Sequence, residues 1–91
     1  MTTMLVQHTI ESFEDWKVAF ENHEPNRRLH GATGHRVMRD GAAVTILIDF
    51  PDTAAAQGFA GDPGLKEAMS KAGVLGAPTI SFLDEVESIT Y

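Results

Sequence analysis

The chain contains no cysteine among its 91 residues. That absence excludes a disulfide framework, a thiolate metal site and a cysteine nucleophile, leaving His, Asp, Glu, Ser, Thr and Tyr to carry any chemistry. Basic residues are scarce: seven lysines and arginines stand against thirteen aspartates and glutamates, a net charge of −6. Nucleic-acid binders neutralise phosphates with clustered cations, so no nucleic-acid partner is expected, and the Arg27-Arg28 pair is too short to change this. No run approaches the roughly 18 to 20 apolar residues that span a bilayer, and no basic stretch precedes an apolar one at the amino terminus. A soluble, cytoplasmic protein without a membrane partner is expected. Neither a G-x-S-x-G elbow nor a phosphate-cradling glycine loop occurs, which removes hydrolase and nucleotide-binding readings.

What is present suits a single globular domain over residues 1–91, with 43% apolar and 22% charged residues. A domain of this size buries only about 60 to 65% of its unfolded surface, so covering a sheet face with a second copy would help it. A homodimer is the expected assembly.

The period-two pattern of Met4, Val6, His8 and Ile10 predicts a first strand. Ser12 followed by Asp15 reads as a helix cap, and Phe13, Trp16 and Phe20 recur at helical spacing. Pro25 should end or kink this helix, leaving a short turn through Leu29 that stops at Gly31. Thr33 to Arg39 and Ala43 to Phe50 then read as a hairpin around Asp40-Gly41. With those two as the loop, Arg39 faces Ala42, Val37 faces Val44 and His35 faces Ile46. Thr53 to Ala60 predicts a helix that breaks at Gly61, and a second follows with Asp62 as cap and Pro63 in its first turn. Leu65, Ala68, Met69 and Ala72 form its apolar stripe, and Gly73 ends it. Pro78 to Val86 returns to alternation, with Ile80, Phe82 and Val86 on one face.

The order β-α-β-β-α-β predicts an α+β fold, a ferredoxin-like sandwich with a four-stranded antiparallel sheet. Met4, Val6, Ile10, Val44, Ile46, Ile48, Phe50, Ile80 and Phe82 should face the helices. The opposite face, with Leu5, Gln7, Thr9, Thr45, Leu47, Asp49, Thr79, Ser81 and Leu83, is too apolar for plain solvation and suits sheet-to-sheet packing in a dimer.

His8 is a polar residue in an apolar alternation on a central strand, where an unpaired imidazole is costly unless it finds a partner or lines a wet cavity. His35 and Arg39 fall on the same helix-facing side, although on an edge strand, where their polar ends can equally reach water. Together the three are the candidate catalytic residues: an imidazole to move a proton, and a guanidinium to hold a carboxylate or enolate. Trp16, Phe20, Phe59, Met69 and Phe82 are candidate walls for a planar substrate, or ordinary core. His23 and His30 flank Pro25 without the i, i+4 spacing that brings two ligands to one metal. No metal and no cofactor are expected.

Val6-x-His8 in the first strand, Asp15-Trp16 in the first helix, Asp62-Pro63-x-Leu65-Lys66-x-x-Met69 and Ala72-Gly73-Val74 before the last strand resemble the dimeric α/β-barrel superfamily. This superfamily includes antibiotic-biosynthesis monooxygenases, stress-responsive barrel proteins and small polyketide cyclases. The resemblance implies a homodimeric barrel with a pocket between sheet and helices. It matches the cyclases' first-strand histidine to His8, whereas their histidine near the start of the late helix has no counterpart in Asp62, Pro63, Gly64 or Leu65. The leading expectation is an enzyme that cyclises or isomerises an aromatic or polyketide-like small molecule by histidine acid-base chemistry. Cofactor-free oxygenation of a phenolic substrate is the alternative, and a non-catalytic, small-molecule-binding or stress-associated barrel protein is the third.

Overall fold

Alternation builds the sheet. In the computed structural model, which describes all 91 residues, β1 (Thr2–Ile10) is followed by α1 (Phe13–Asn22), α2 (Glu24–Leu29), β2 (Gly34–Asp40), β3 (Ala43–Phe50), α3 (Thr53–Ala60), α4 (Pro63–Lys71) and β4 (Val74–Asp84). The strands lie in the order β2-β3-β1-β4, each antiparallel to its neighbours. This is the ferredoxin-like α+β arrangement, with each helical crossover divided into two helices.

Pairing of Met4 with Ile48, Val6 with Ile46 and His8 with Val44 puts the even-numbered residues of β1 and β3 on one face. The helices cover that face, and Met4, Ile48, Phe50, Trp16 and Phe59 are buried there. Each such side chain contributes about 1.5 to 3 kcal/mol on leaving water. The helices start at side-chain caps: Ser12 Oγ accepts from Asp15 N, Asp52 Oδ1 from Ala55 N, and Asp62 Oδ1 from Gly64 N.

Three sequence expectations need correction. Pro25 does not lead into a turn; α1 has already ended at Asn22, and Pro25 sits in the first turn of α2, where its missing N–H costs no hydrogen bond. The hairpin loop is Gly41-Ala42, because Asp40 pairs with Ala43. Arg39 therefore faces Val44, Val37 faces Ile46 and His35 faces Ile48, a slip of two residues that leaves every side chain on its expected face. Gly41 takes φ +59°, fitting the first central position of a type II′ turn. Finally, β4 begins at Val74 and ends at Asp84, so Val86 lies beyond the strand and is exposed.

The early part of β4 holds the main irregularity. Gln7 pairs with Thr79 but Thr9 pairs with Leu75, so three residues, Gly76 to Pro78, stand opposite His8 alone. Gly76 supplies a positive φ of 72° and Pro78 has no N–H to give the ladder. His8 thus sits on a central strand with no β4 partner of its own.

Candidate functional site

Between the helix-facing side of the sheet and the helices lies a cavity of about 50 Å3, lined by 14 residues of which 11 are hydrophobic. The three exceptions are His8 from β1, His23 from the α1–α2 junction and Arg27 from α2. A site that is apolar except for a few convergent polar groups is the usual form of a small-molecule pocket. Phe20 and Met69, both half-buried, are among its walls.

His8 is only 8% exposed, and neither Nδ1 nor Nε2 has a hydrogen-bond partner. Its ring meets Trp16 edge-on, with centroids 5.8 Å apart, and Trp16 stacks on Phe20 at 4.9 Å. Burial disfavours the imidazolium and holds the His8 pKa below the ordinary histidine value. The side chain is therefore neutral at physiological pH, with one nitrogen free to accept a proton.

Arg27 is 3% exposed. Its Nη1 donates to the carbonyl of Phe20 at 2.7 Å and its guanidinium lies 3.8 Å from the centre of the Phe20 ring. Nη2 is buried and unpartnered.

His23 marks where the cavity meets a polar chain. Asn26 Nδ2 donates to Asp62 Oδ2 at 3.0 Å and lies 3.1 Å from His23 Nε2. A carboxylate only accepts, so Asp62 fixes the orientation of the Asn26 amide, and its Nδ2 is then a donor to His23 Nε2 as well. The His23 proton consequently resides on Nδ1. His30 Nε2 completes the chain, 2.9 Å from Asp62 Oδ2. The Gly64 N–H, with His30 and Asn26, holds the Asp62 carboxyl down to about 2. No group of three or more His, Asp or Glu side chains is arranged to hold a metal ion.

No family model matches the chain, and none of the curated proteins is detectably similar in sequence. Solved structures are similar in fold. SnoaB, a cofactor-independent oxygenase from Streptomyces nogalater, superposes with a TM-score of 0.79 at 11% identity, over 99% of this chain and 97% of that one. The monooxygenase ActVA-Orf6 of Streptomyces coelicolor, in complex with nanaomycin D, superposes with a TM-score of 0.74 at 20% identity, over 99% and 91%. Rv0793 from Mycobacterium tuberculosis gives 0.72 at 7% identity, over 98% of both chains. The chain shares its ferredoxin-like fold with these proteins and with a solved antibiotic biosynthesis monooxygenase, which gives a TM-score of 0.68 at 14% identity over 96% of this chain and 100% of that one.

On this fold, five of the residues singled out from sequence, His8, Trp16, Phe20, Phe59 and Met69, line one cavity. Three do not. His35 is exposed on the edge strand β2 and meets Phe20 edge-on at 5.0 Å. Arg39 is exposed too, with its guanidinium 4.1 Å over the Phe13 ring. Phe82 lies opposite Met4 on the other edge strand and is 38% exposed. His35 and Arg39 therefore do not share the cavity with His8, whose polar neighbours in its lining are His23 and Arg27, because the helices cover the two central strands more fully than the edges. Arg27 and His23 were missed as pocket residues; the available signal was Pro25, read as a helix stop when it starts the helix that turns Arg27 inward.

Proposed function

We propose that this protein is a cofactor-independent oxygenase of a phenolic, polyketide-like aromatic molecule, with His8 as the base that takes the phenolic proton. The observation that carries the reading is a buried, neutral imidazole with both nitrogens unpaired, facing an apolar cavity. Such a group is costly unless a ligand or water satisfies it, and it suits a general base. The activities of SnoaB and ActVA-Orf6 on the same fold support the choice of reaction.

The chemistry needs no external reductant. Loss of the phenolic proton to His8 makes the ring electron-rich, and the phenolate supplies electrons to molecular oxygen so that a ring carbon–oxygen bond forms. Cleavage of the oxygen–oxygen bond with loss of the ring hydrogen leaves a second carbonyl on the ring. One oxygen atom stays on the product, and the other leaves as water with the two hydrogens the substrate lost. The apolar walls keep bulk water from the phenolate.

The cyclase reading is weaker, because no histidine stands among Asp62, Pro63, Gly64 and Leu65 near the start of α4, where the cyclases carry a second one, and the ionisable side chain there is the Asp62 carboxylate. That carboxylate caps α4 and accepts from Asn26 and His30, and it lines an outer polar groove, not the cavity. We also propose a dimer interface on the open sheet face, where Leu5 and Leu47 lie side by side, flanked by Arg36 and Ser81, with exposed Met38 and Leu83 on the outer strands of the same face. Packing two such faces closes the barrel and covers apolar area that a 91-residue chain cannot bury alone.

Oxygen uptake over a panel of naphthols and dihydroxynaphthalenes tests the reaction. Expected is uptake coupled to a product that has gained one oxygen and lost two hydrogens, with His8→Gln reducing the rate by about 10²-fold or more. Phenols that bind without oxygen uptake would point to the non-catalytic barrel protein, and ring closure without oxygen to the cyclase.

A further inference from the structure

We infer that Arg27 is an anion anchor, and that the natural ligand of the cavity carries a negatively charged oxygen on a planar frame: a phenolate, enolate or carboxylate. The inference deepens the oxygenase reading and rests on its premise that the cavity is the ligand site.

The first support is the direction in which α2 faces. A short helix on a hydrophobic core normally turns its leucine inward and its arginines outward. Here Leu29 is 79% exposed and Arg27 is buried, while its neighbour Arg28 reaches solvent. Capping the last turn of α1 at the Phe20 carbonyl uses only one end of the guanidinium.

The second is the incomplete pairing of the guanidinium. Nη1 is satisfied by the Phe20 carbonyl and one face is covered by the Phe20 ring, but Nη2 has no acceptor. None of the ion pairs includes Arg27. Glu24 is the acid whose charge it feels, and that side chain pairs with Arg28 at 3.9 Å. A buried charge with an unmet donor is among the more expensive arrangements in a protein, and it persists where a partner arrives from outside.

The third is the company it keeps. Arg27 and His8 line the same cavity, and between them leave one guanidinium donor and two ring nitrogens unpaired. A neutral apolar molecule would satisfy none of these. An anionic oxygen meets the Nη2 donor and balances the charge, and the proton it gave up is accounted for by the imidazole. This also answers a difficulty in the proposed reaction. A histidine kept neutral by burial is a weak base, and it deprotonates a phenol in an apolar cavity only if a fixed positive charge stabilises the phenolate that forms.

The test uses 4-nitrophenol, whose phenolate absorbs at longer wavelength than the phenol, with the intact protein. Expected is that bound 4-nitrophenol ionises at lower pH than the free compound, equivalent to phenolate binding about ten- to hundredfold tighter than phenol. The Arg27 side-chain resonances should shift on saturation in nitrogen–proton spectra. Arg27→Met should abolish the preference and Arg27→Lys should keep part of it. The ionisation shift is read on the wild-type protein, so it decides the matter even if a variant does not fold. Equal or weaker binding of the phenolate, a preference that survives Arg27→Met, or no response of Arg27 to 4-nitrophenol or benzoate would overturn the anchor and leave Nη2 to an ordered water. Phenolate preference without oxygen uptake would sink the oxygenase reading and leave the anchor standing; full oxygen uptake by Arg27→Met would do the reverse.

Discussion

His30 Nε2 lies 2.9 Å from Asp62 Oδ2, and this contact fastens the end of α2 to the start of α4. The same carboxylate accepts the Gly64 N–H at 2.8 Å and the Asn26 amide at 3.0 Å. One side chain therefore caps a helix and ties together the two crossovers that roof the cavity.

That arrangement makes stability depend on pH in a definite direction. The Asp62 carboxyl is held down to about 2, first by the Gly64 N–H and then by His30 and Asn26. A group with a depressed folded-state pKa contributes stability above its unfolded value, about 3.9 for aspartate, and loses it as pH falls through the folded value. Asp62→Asn should lower the urea midpoint at pH 7, and the gap to wild type should close between about pH 4 and pH 2. A gap that stays constant down to pH 2 would contradict the role assigned to the charge.

Trp16 offers a direct reading of His8. It is the only tryptophan, 2% exposed, with its ring edge-on to the imidazole. Burial lowers the His8 pKa, so the unfolded chain takes up a proton first as pH falls below about 6.5, and stability declines with acidification from that point. Trp16 emission should change in a single transition below about pH 6.5, where the imidazolium forms beside it, and His8→Gln should remove that transition. A midpoint at or above the free-histidine value would mean the imidazole is not held neutral.

The open sheet face predicts an assembly. Leu47 lies on central strand β3 opposite Leu5 and makes no contribution to the helix-facing core. Leu47→Glu should convert a dimer to a monomer in sedimentation velocity while the far-ultraviolet circular dichroism stays unchanged. Wild-type protein that sediments as a 9.9 kDa species at tens of micromolar would remove the sheet-to-sheet interface.

Gly41 tests the corrected hairpin. At φ +59° a Cβ meets no neighbouring atom, so the cost of a side chain there is backbone strain alone. Gly41→Ala should destabilise the protein by about 1 to 2 kcal/mol and Gly41→Asn by less, measured by chemical denaturation. Equal stability of all three would mean the loop does not need a left-handed residue.

Local sequence determined the strands, the helix caps at Ser12 and Asp62, and the face that each strand residue occupies. These depend on period-two alternation and on hydrogen bonds reaching two or three residues along the chain. The apolar set on β1 and β3 was legible for the same reason, as was His8 among it. Tertiary structure decided the membership of the site. Arg27 turns inward on a helix of six residues, too short to show periodicity, and its partner carbonyl belongs to another helix. Asn26 meets Asp62 across 36 positions of sequence. The bulge that leaves His8 without a β4 partner exists only once β4 is laid against β1, and His35 and Arg39 fall outside the cavity only because the helices sit over the sheet's centre. Local chemistry chose the elements; contacts distant in sequence, invisible to any short window, chose which polar groups would be buried together.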